Sequence, residues 1–355
     1  MVLHHLQPRL AAVGVLYPRV APRSAPASLV NHQPFGETLD GRRPRRERAE
    51  CLDALSAALA RTDADTVILS YEDFALQHPR FGVPEVLRGA LAQHGFAMEV
   101  AIVVKAPSDQ LTSLYAHRAQ LVRETRPFGE FARSVWRGTR FDYGALLDPW
   151  SAAVDGRVTA VPVRDRRSDA PLIERVFSAL GLQERIGGLL DPTDRMRVEN
   201  RSSGPIAVEV SRRLCRMRAR QQVKDHPPRD IGRFIDGLVR SRGWDAETFR
   251  GDDPDILRRI DAHHAASSER FARAVWAAPW ATVVGETPRL PPNELAGRPI
   301  PPEVEARVAS VVTEAISRFG LRRLPDWWCA SAELAEAAAL RIAPLLGYRG
   351  WRVSP

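Results

Sequence analysis

The stretch "EVAIVVKAPSDQLTSLYAH" (residues 99–117) joins a short apolar run to a longer amphipathic one. The apolar run is typical of a buried strand. Pro107 suits the first turn of a helix, and Ser108 or Asp109 can cap that helix. Lys105 therefore stands where the strand ends. Ligands of open parallel sheets bind at that edge, beside the free N–H groups of helix N-termini.

The rest of the first half repeats this alternation of short apolar runs with longer amphipathic ones. The pattern predicts an α/β domain with a parallel sheet and helices on its faces. Predicted strands span residues 13–18, 66–70, 99–104 and 157–163. Predicted helices span residues 45–61, 84–94, 108–123, 128–137, 143–154 and 170–180, and Gly181 suits the end of the last one.

Beyond about residue 190 the strand patterns fade and helices dominate, at residues 205–220, 231–240 and 254–276. A proline-rich stretch, "TPRLPPNELAGRPIPP" (residues 287–302), predicts a linker before helical runs at 303–319 and 331–345. We therefore predict an α/β domain over residues 1–286 with a helical extension from about 190, a linker over 287–302, and a small helical segment over 303–355.

The composition limits the classes of partner. A formal charge of +8 and a pI of about 10.1 permit a polyanionic partner. The 51 basic residues are mostly arginine and are spread among 43 acidic ones, without a basic stripe interleaved with aromatic residues, so we do not predict nucleic-acid binding. No apolar run has the length of a membrane span or a signal peptide, which predicts a cytoplasmic protein without a transmembrane segment. The sequence leaves the oligomeric state open.

The residues that could bind metal do not form a pattern. Cys51, Cys215 and Cys329 lie far apart and lack ligand spacing, so we expect reduced structural thiols. His263 and His264 lie inside a predicted helix without an acidic or cysteine ligand at metal spacing. We predict no metal site.

Ser113 follows Lys105 by eight residues, one turn into the predicted helix. A hydroxyl at that position can share an anion with the cation at the strand end, and phosphate recognition uses this pairing of a charge with a neutral donor. The alternative is that Lys105 only ends the strand and that Ser113 is a small residue in a packed helix. The spacing by itself leaves both interpretations open.

Six stretches, in this order and spacing, carry a resemblance that covers roughly residues 10–210. They are "LAAVGVLYPR" (10–19), "VILSYEDF" (67–74), "VVKAPSDQLTSLYAHRAQLVR" (103–123), "FDYGALLDPW" (141–150), "VPVRDR" (161–166) and "FSALGL" (177–182). As a set they resemble the bacterial sulfotransferase-like family, whose sulfuryl donor is PAPS (3′-phosphoadenosine 5′-phosphosulfate). The resemblance implies a P-loop-like three-layer sandwich with a parallel sheet.

The resemblance also implies an activity and two donor-binding residues. In the family a sulfuryl group passes from PAPS, without a metal, to a hydroxyl of a saccharide or another small acceptor. A basic residue at the strand end and a serine eight positions later hold the 3′-phosphate, and Lys105 and Ser113 occupy these positions. The usual basic residue is arginine, which grips phosphate with two bonds, whereas lysine is a mobile point charge.

One part of the family pattern has no counterpart in this sequence. The family binds the 5′-phosphosulfate with a lysine-x-glycine-threonine loop after the first strand, and the sequence contains no such loop. That strand is normally interior to the sheet, so without it two neighbouring strands would each lose a hydrogen-bonding edge. A misplaced start codon, a fragment and a degenerate, inactive member each explain this pattern.

Three residues are candidates for the general base that activates the acceptor hydroxyl. Glu72 follows the predicted strand 66–70, as the family's glutamate base follows its strand. His78 lies in the same predicted loop, and His32 in "VNHQPFG" resembles a histidine-containing family loop. Ser70 at its strand tip and Asn200 in "ENRSSG" are further candidates for donor binding.

Two other classes of function remain. A non-catalytic homologue would retain the fold and serve as a binding or accessory protein. A P-loop kinase or related nucleotide-binding protein would need a Walker-type lysine loop, which this sequence does not contain. We also predict that Trp136, Tyr143 and Trp150 pack helices against the sheet rather than stack on sugars.

Overall fold

The computed structural model describes residues 2–25, 31–76, 79–154, 157–196, 202–221, 228–251, 254–285, 291–297 and 299–321. The chain is mostly helical (62% helix), and its strands are few, short and parallel. It divides into two units. The first comprises Met1–Ser113, Gly129–Arg201 and Asp253–Pro291, and the second comprises Leu114–Phe128, Ser202–Asp252 and Pro292–Pro355.

The described helices are numbered in chain order. They are α1 (Val2–Ala12), α2 (Gln33–Leu39), α3 (Arg45–Leu59), α4 (Val83–Ala92), α5 (Pro107–Gln120), α6 (Phe128–Val135), α7 (Tyr143–Ala153), α8 (Leu172–Ala179), α9 (Gln183–Ile186), α10 (Pro192–Met196), α11 (Pro205–Gln221), α12 (Pro228–Ser241), α13 (Pro254–Trp276), α14 (Trp280–Val283) and α15 (Pro302–Phe319). Short 3₁₀ turns span Glu72–Leu76, Pro79–Phe81, Thr139–Phe141 and Gly187–Leu189.

Four strands form two separate parallel pairs in the first unit. The strands are β1 (Val15–Leu16), β2 (Thr66–Val67), β3 (Val100–Val104) and β4 (Val158–Pro162). β1 pairs with β2, and β3 pairs with β4 over five residues. All four lie inside the predicted strands, and the parallel orientation is confirmed. Within the described residues no ladder joins the two pairs into one sheet.

The main core of the first unit forms where helices pack on β3 and β4. Alternate side chains of a strand share a face, and Val100, Ile102 and Val104 of β3 therefore contact the same cluster. α3 contributes Cys51 and Leu55, spaced four residues apart on one buried face. Each large side chain buried in this way contributes about 1.5–3 kcal/mol of transfer free energy.

A smaller core surrounds β1. It joins α1 and β1 to the helices that follow β4, through Leu6, Leu10, Val15, Phe177 and Ile186. The last turn of α8 ends as predicted at Gly181, which has a φ of +68°. The amide of Leu182 donates a hydrogen bond to the carbonyl of Phe177 at 2.8 Å. This is the hydrogen bond from C″ to C3 that defines the Schellman motif.

In the second unit, α11, α12 and α15 pack against one another. Their shared core contains Ile206, Leu214, Ile235 and Val311, all at most 4% exposed. Asp245 accepts hydrogen bonds from the backbone amides of residues 206 and 207, both at 3.0 Å, and so satisfies the first turn of α11.

Most predicted helices agree with the observed ones to within a few residues, because apolar spacing and proline positions fix them locally. α13 has the predicted bounds. The predicted helix 331–345 and Cys329 lie outside the described residues, and neither Cys51 nor Cys215 forms a disulfide with another described residue. The predicted helices include neither α1, which has eleven residues, nor α2, α9, α10 and α14, which have at most seven each.

Gly36 in α2 provides a test of the packing beside β2. A Cβ at this position would overlap the ring of Tyr71, whereas a Cβ at Gly89 in α4 would meet nothing within 4 Å. We expect Gly36→Ala to lower the free energy of unfolding by about 1–3 kcal/mol through overpacking. Gly89→Ala, the matched control, should raise it by about 0.5–1 kcal/mol, because alanine favours the helix. Urea unfolding measures both changes, and equal effects at the two sites would contradict the close contact between Gly36 and Tyr71.

Candidate functional site

Lys105 and Ser113 meet at the carboxyl end of β3. Lys105 follows the last strand residue, and α5 begins at Pro107 after a tight turn. The eight-residue spacing brings the Nζ of Lys105 to 3.1 Å from the Oγ of Ser113, to which it donates a hydrogen bond. Both side chains are half-buried. The structure thus places a cation and a hydroxyl side by side, and their sharing of an anion stays a prediction.

The charge of Lys105 is only partly compensated. Burial lowers the pKa of this ammonium group from its ordinary value of 10.5, and the carboxylates of Asp109 and Glu72 oppose that shift. The guanidinium of Arg164, which follows β4, lowers the pKa further by like-charge repulsion. An anion bound beside this half-buried ammonium would add to the effect of the two carboxylates and oppose that of Arg164, because a negative charge favours the protonated lysine.

Tyr143 holds the backbone of Lys105 in place. Its hydroxyl accepts a hydrogen bond from the Lys105 amide at 3.1 Å and donates one to the Lys105 carbonyl at 2.9 Å. Burial raises the pKa of Tyr143 to about 12, so the hydroxyl stays protonated and can make both bonds. The ring also packs against Phe271 and stacks on Trp280, with centroids 6.1 Å apart. The predicted packing is therefore present, together with a polar contact that was not predicted.

Asp261 satisfies the first turn of α5. Its Oδ1 accepts a hydrogen bond from the amide of Ser108 at 3.0 Å, although the two residues are 153 positions apart in the sequence. The structure shows this carboxylate in the position that Ser108 or Asp109 was predicted to fill. Because a carboxylate already lies at this helix N-terminus, the side chains of Lys105 and Ser113, rather than the amides of the first turn, are the groups here that could bind an anion.

The segment after β4 is fixed by a short antiparallel pairing. Asp165 forms an isolated bridge with Val284, and the amide of Gly285 donates to the Arg164 carbonyl at 3.0 Å. This pairing holds the backbone of Arg164 at the carboxyl end of β4, next to β3 in the ladder. Sequence reasoning missed Arg164 as a site residue, although the "VPVRDR" pattern placed it directly after a predicted strand.

His32 lies at the end of β1 and β2, and backbone groups engage both of its ring nitrogens. Nδ1 accepts from the Ser70 amide at 3.1 Å, so Nε2 carries the proton and donates to the Pro18 carbonyl at 2.8 Å. The ring is 1% exposed, and burial lowers its pKa to about 4. This geometry makes His32 a structural link and gives no support to its predicted role as a base.

Ser70 belongs to the same hydrogen-bonded group. Its Oγ lies 3.1 Å from the hydroxyl of Tyr17, whose ring packs edge-on against His32. The side chain of Ser70 is therefore engaged at the end of β1, and its predicted contact with a donor molecule stays a prediction.

Glu72 occupies the start of the 3₁₀ turn that follows β2, and its side chain is exposed. It lies at the same end of the strands as Lys105, close enough for its charge to act on that lysine. Its role as a base stays a prediction. His78 and Asn200, the other predicted site residues, lie outside the described residues.

Comparisons with known proteins found no matching family model, no similar curated protein and no similar solved structure. Within the described residues, no group of three or more His, Cys, Asp or Glu side chains could hold a metal ion. No helix in this part of the chain is long and apolar enough to cross a membrane.

The link at His32 predicts a pH dependence of stability. The folded state holds the His32 pKa at about 4, below the 6.5 of an unfolded chain, so the unfolded state takes up the proton first as the pH falls. The stabilisation is therefore complete above pH 6.5 and is lost towards pH 4. We expect a loss of about 3 kcal/mol in the free energy of unfolding from this group. Urea unfolding of wild type and His32→Gln across this range isolates it, and parallel pH profiles would contradict it.

The hydrogen bonds between the Tyr143 hydroxyl and the Lys105 backbone predict what removal of that hydroxyl does to stability and to exchange of the Lys105 amide. Tyr143→Phe keeps the ring but removes both hydrogen bonds, which should cost about 1–2 kcal/mol in stability and speed hydrogen exchange of the Lys105 amide. Tyr115→Phe is a matched control, because that hydroxyl donates to the Arg126 carbonyl within the second unit. Equal protection of the Lys105 amide in wild type and Tyr143→Phe, measured by NMR, would contradict the contact.

Proposed function

We propose that this protein binds the 3′-phosphate of PAPS at Lys105 and Ser113 and transfers the sulfuryl group to a hydroxyl of a saccharide or another small acceptor. The observation that carries the proposal is the 3.1 Å contact between Lys105 Nζ and Ser113 Oγ at the carboxyl end of β3. It joins two residues that the resemblance assigns to one phosphate.

The residues present suit a phosphate group. The ammonium supplies charge and up to three donors, and the hydroxyl adds a neutral donor on the same side. The chain contains only two lysines, Lys105 and Lys224, among its 51 basic residues. A lysine at this strand end is therefore unusual for the chain. Its pKa, already lowered by burial, would rise towards normal when a phosphate binds.

Sulfuryl transfer requires an in-line arrangement and charge stabilisation rather than a covalent role for the protein. The acceptor oxygen forms a bond to sulfur while the bond from sulfur to the 5′-phosphate oxygen breaks. A base takes the acceptor's proton, and PAP (3′-phosphoadenosine 5′-phosphate) leaves. We assign the base to Glu72, because it lies at the same end of the strands as Lys105 and its exposed carboxylate can reach solvent-borne acceptors.

The leaving phosphate needs a cation of its own. Arg164 is the additional cation that acts on Lys105 from the end of β4, and we assign it to the negative charge of the donor. We further propose that the two strand pairs belong to a P-loop-like three-layer sandwich. Because the sequence contains no lysine-x-glycine-threonine loop, the proposal assigns the charges of the donor to Lys105 and Arg164.

A second candidate function is a binding or accessory protein that retains the phosphate site without turnover. The specific observation in its favour is the same missing loop, because the sequence offers no other match to the family's 5′-phosphosulfate site. Both candidates predict binding of PAP, and only the first predicts sulfuryl transfer to an acceptor.

Calorimetric titration with PAP tests the phosphate site. Lys105→Ala should weaken PAP binding by about 10–100-fold, because a charge-assisted hydrogen bond is lost, and Ser113→Ala should weaken it by a smaller factor. Adenosine 5′-phosphate, which lacks the 3′-phosphate, should bind wild type and Lys105→Ala alike. Lys224→Ala is the matched control for loss of one positive charge.

NMR of lysine-labelled protein gives a second readout, since only two lysines contribute signals. Addition of PAP should raise the pKa of Lys105, because a phosphate anion favours the charged ammonium. A folded wild type that does not bind PAP would overturn the proposed function. Binding that is unchanged in a folded Lys105→Ala variant would overturn the role of Lys105.

A further inference from the structure

The segment that follows α13 pairs with the residues that leave β4. We call residues 277–285, which contain α14, the α14 segment. The Gly285 amide donates a hydrogen bond to the Arg164 carbonyl at 3.0 Å. The Arg166 amide in turn donates to the Val283 carbonyl at the same distance. The end of the α14 segment thus holds the backbone that carries the guanidinium of Arg164.

The start of the α14 segment supports the other cation of the site. The indole of Trp280 stacks on the ring of Tyr143, with centroids 6.1 Å apart and an interplanar angle of 20°. The hydroxyl of Tyr143 makes two hydrogen bonds to the backbone of Lys105. Trp280 therefore fixes the ring whose hydroxyl fixes Lys105, and loss of the indole would give that ring room to move.

The two contacts belong to one turn of helix. The Val284 amide donates to the Trp280 carbonyl at 2.9 Å, and the Thr282 amide donates to the Pro279 carbonyl at 3.1 Å. The side chains of Val283 and Val284 are buried, which holds the turn against the rest of the first unit. Because the stack and the pairing lie within a single hydrogen-bonded turn, a displacement of one end is transmitted to the other.

Contacts from α13 keep the α14 segment in a conformation that its backbone does not favour. The Oε2 atom of Glu269 accepts a hydrogen bond from the Trp280 amide at 2.8 Å, and Arg273 donates to Oε1 of the same carboxylate at 2.8 Å. Ala277 has a φ of +52°, in the left-handed region that residues other than glycine rarely adopt. Such strain persists only where surrounding contacts hold it, and it is concentrated at ligand sites.

We propose that Trp280 is a positioning residue that fixes Lys105 and Arg164 relative to each other, so that the site selects a ligand with two anionic groups at one separation over a ligand with a single phosphate. The inference rests on the proposed function, which assigns the 3′-phosphate to Lys105 and the remaining negative charge of the donor to Arg164. Two linked groups bind together with an effective concentration that depends on how well their separation fits. A rigid support for both cations raises this advantage, because less motion is lost on binding.

NMR of the free, full-length protein tests the positioning without any ligand. Trp280→Ala should speed hydrogen exchange of the Lys105 and Gly285 amides together, by at least about tenfold, because both lose their support. It should also raise the pKa of Lys105 towards 10.5, since Arg164 and the surrounding side chains would no longer be held close to the ammonium group. Trp280→Phe, which keeps an aromatic ring against Tyr143, should restore both properties in large part.

Two further variants keep this test specific. Trp244→Ala removes a half-buried tryptophan of the second unit and is the matched control. It should lower stability without changing either the pKa of Lys105 or the exchange of the Lys105 and Gly285 amides. Glu269→Ala replaces Trp280→Ala if that variant does not fold, because it releases the Trp280 amide but removes no buried side chain. It should speed exchange of the same two amides.

Calorimetric titration measures the ligand selectivity. The probes are PAP, which carries two phosphates, and adenosine 3′-phosphate, which carries one. Wild type should bind PAP at least about tenfold more tightly than adenosine 3′-phosphate, and Trp280→Ala should remove most of that advantage. The affinity for adenosine 3′-phosphate should fall by a smaller factor, because that ligand does not depend on the separation of the two cations.

Failure of this inference and failure of the proposed function give different results. Unchanged exchange of both amides and an unchanged pKa of Lys105 in a folded Trp280→Ala variant would overturn the positioning role, whether or not PAP binds. An equal ratio of the two affinities in wild type and Trp280→Ala would overturn the ligand selectivity. A folded wild type that does not bind PAP would overturn the proposed function and the selectivity together, and the exchange data would then decide the positioning role by themselves.

Discussion

Five residues of β3 pair in parallel with five residues of β4, and this ladder sets where the chain must turn. Because the pairing ends at Val104, Lys105 is the first residue released from the sheet, and α5 begins two residues later. The same pairing places Arg164 just beyond the end of the neighbouring strand. Both cations thus lie at one end of the ladder, where hydrogen bonding between strands stops.

The polar groups at the carboxyl ends of the two strand pairs divide into those that bind backbone groups and those that contact each other through side chains. Tyr143, Asp261 and His32 have their polar atoms directed at backbone groups, which are costly to leave unpaired in a protein interior. Lys105 and Ser113 instead contact each other through side chains. A half-buried ammonium with a hydroxyl as its partner retains donors for an anion, which is the physical basis for the proposed phosphate site.

The fold was predictable wherever local pattern determines structure. Apolar spacing and proline positions located α13 and all four strands, and a glycine marked the end of α8. The contact between Lys105 and Ser113 was also predictable, because it spans a single strand–turn–helix unit. The role of Asp261 was not predictable, since 153 residues separate it from Ser108, whose amide donates a hydrogen bond to it. No local pattern shows which distant carboxylate reaches a helix N-terminus, or which tyrosine hydroxyl binds a strand end.

The roles of the histidine and the glutamate illustrate the same limit. A histidine and a post-strand glutamate are equally suitable bases by residue type, and their surroundings separate them. His32 has both nitrogens engaged by backbone groups and is buried, whereas Glu72 is exposed at the carboxyl end of β2. Burial and hydrogen bonding thus distinguish two residues that the sequence offers as candidates for the same role.

The sequence by itself determined the strands, most of the longer helices and the position of Lys105 at a strand end, because these follow from the order of neighbouring side chains. Only the tertiary structure decided which strands pair. Pairing joins residues that are 51 to 58 positions apart, such as Val15 with Thr66 and Val100 with Val158. The backbone groups that form it are the same in every residue, so the sequence does not encode a partner for each strand directly.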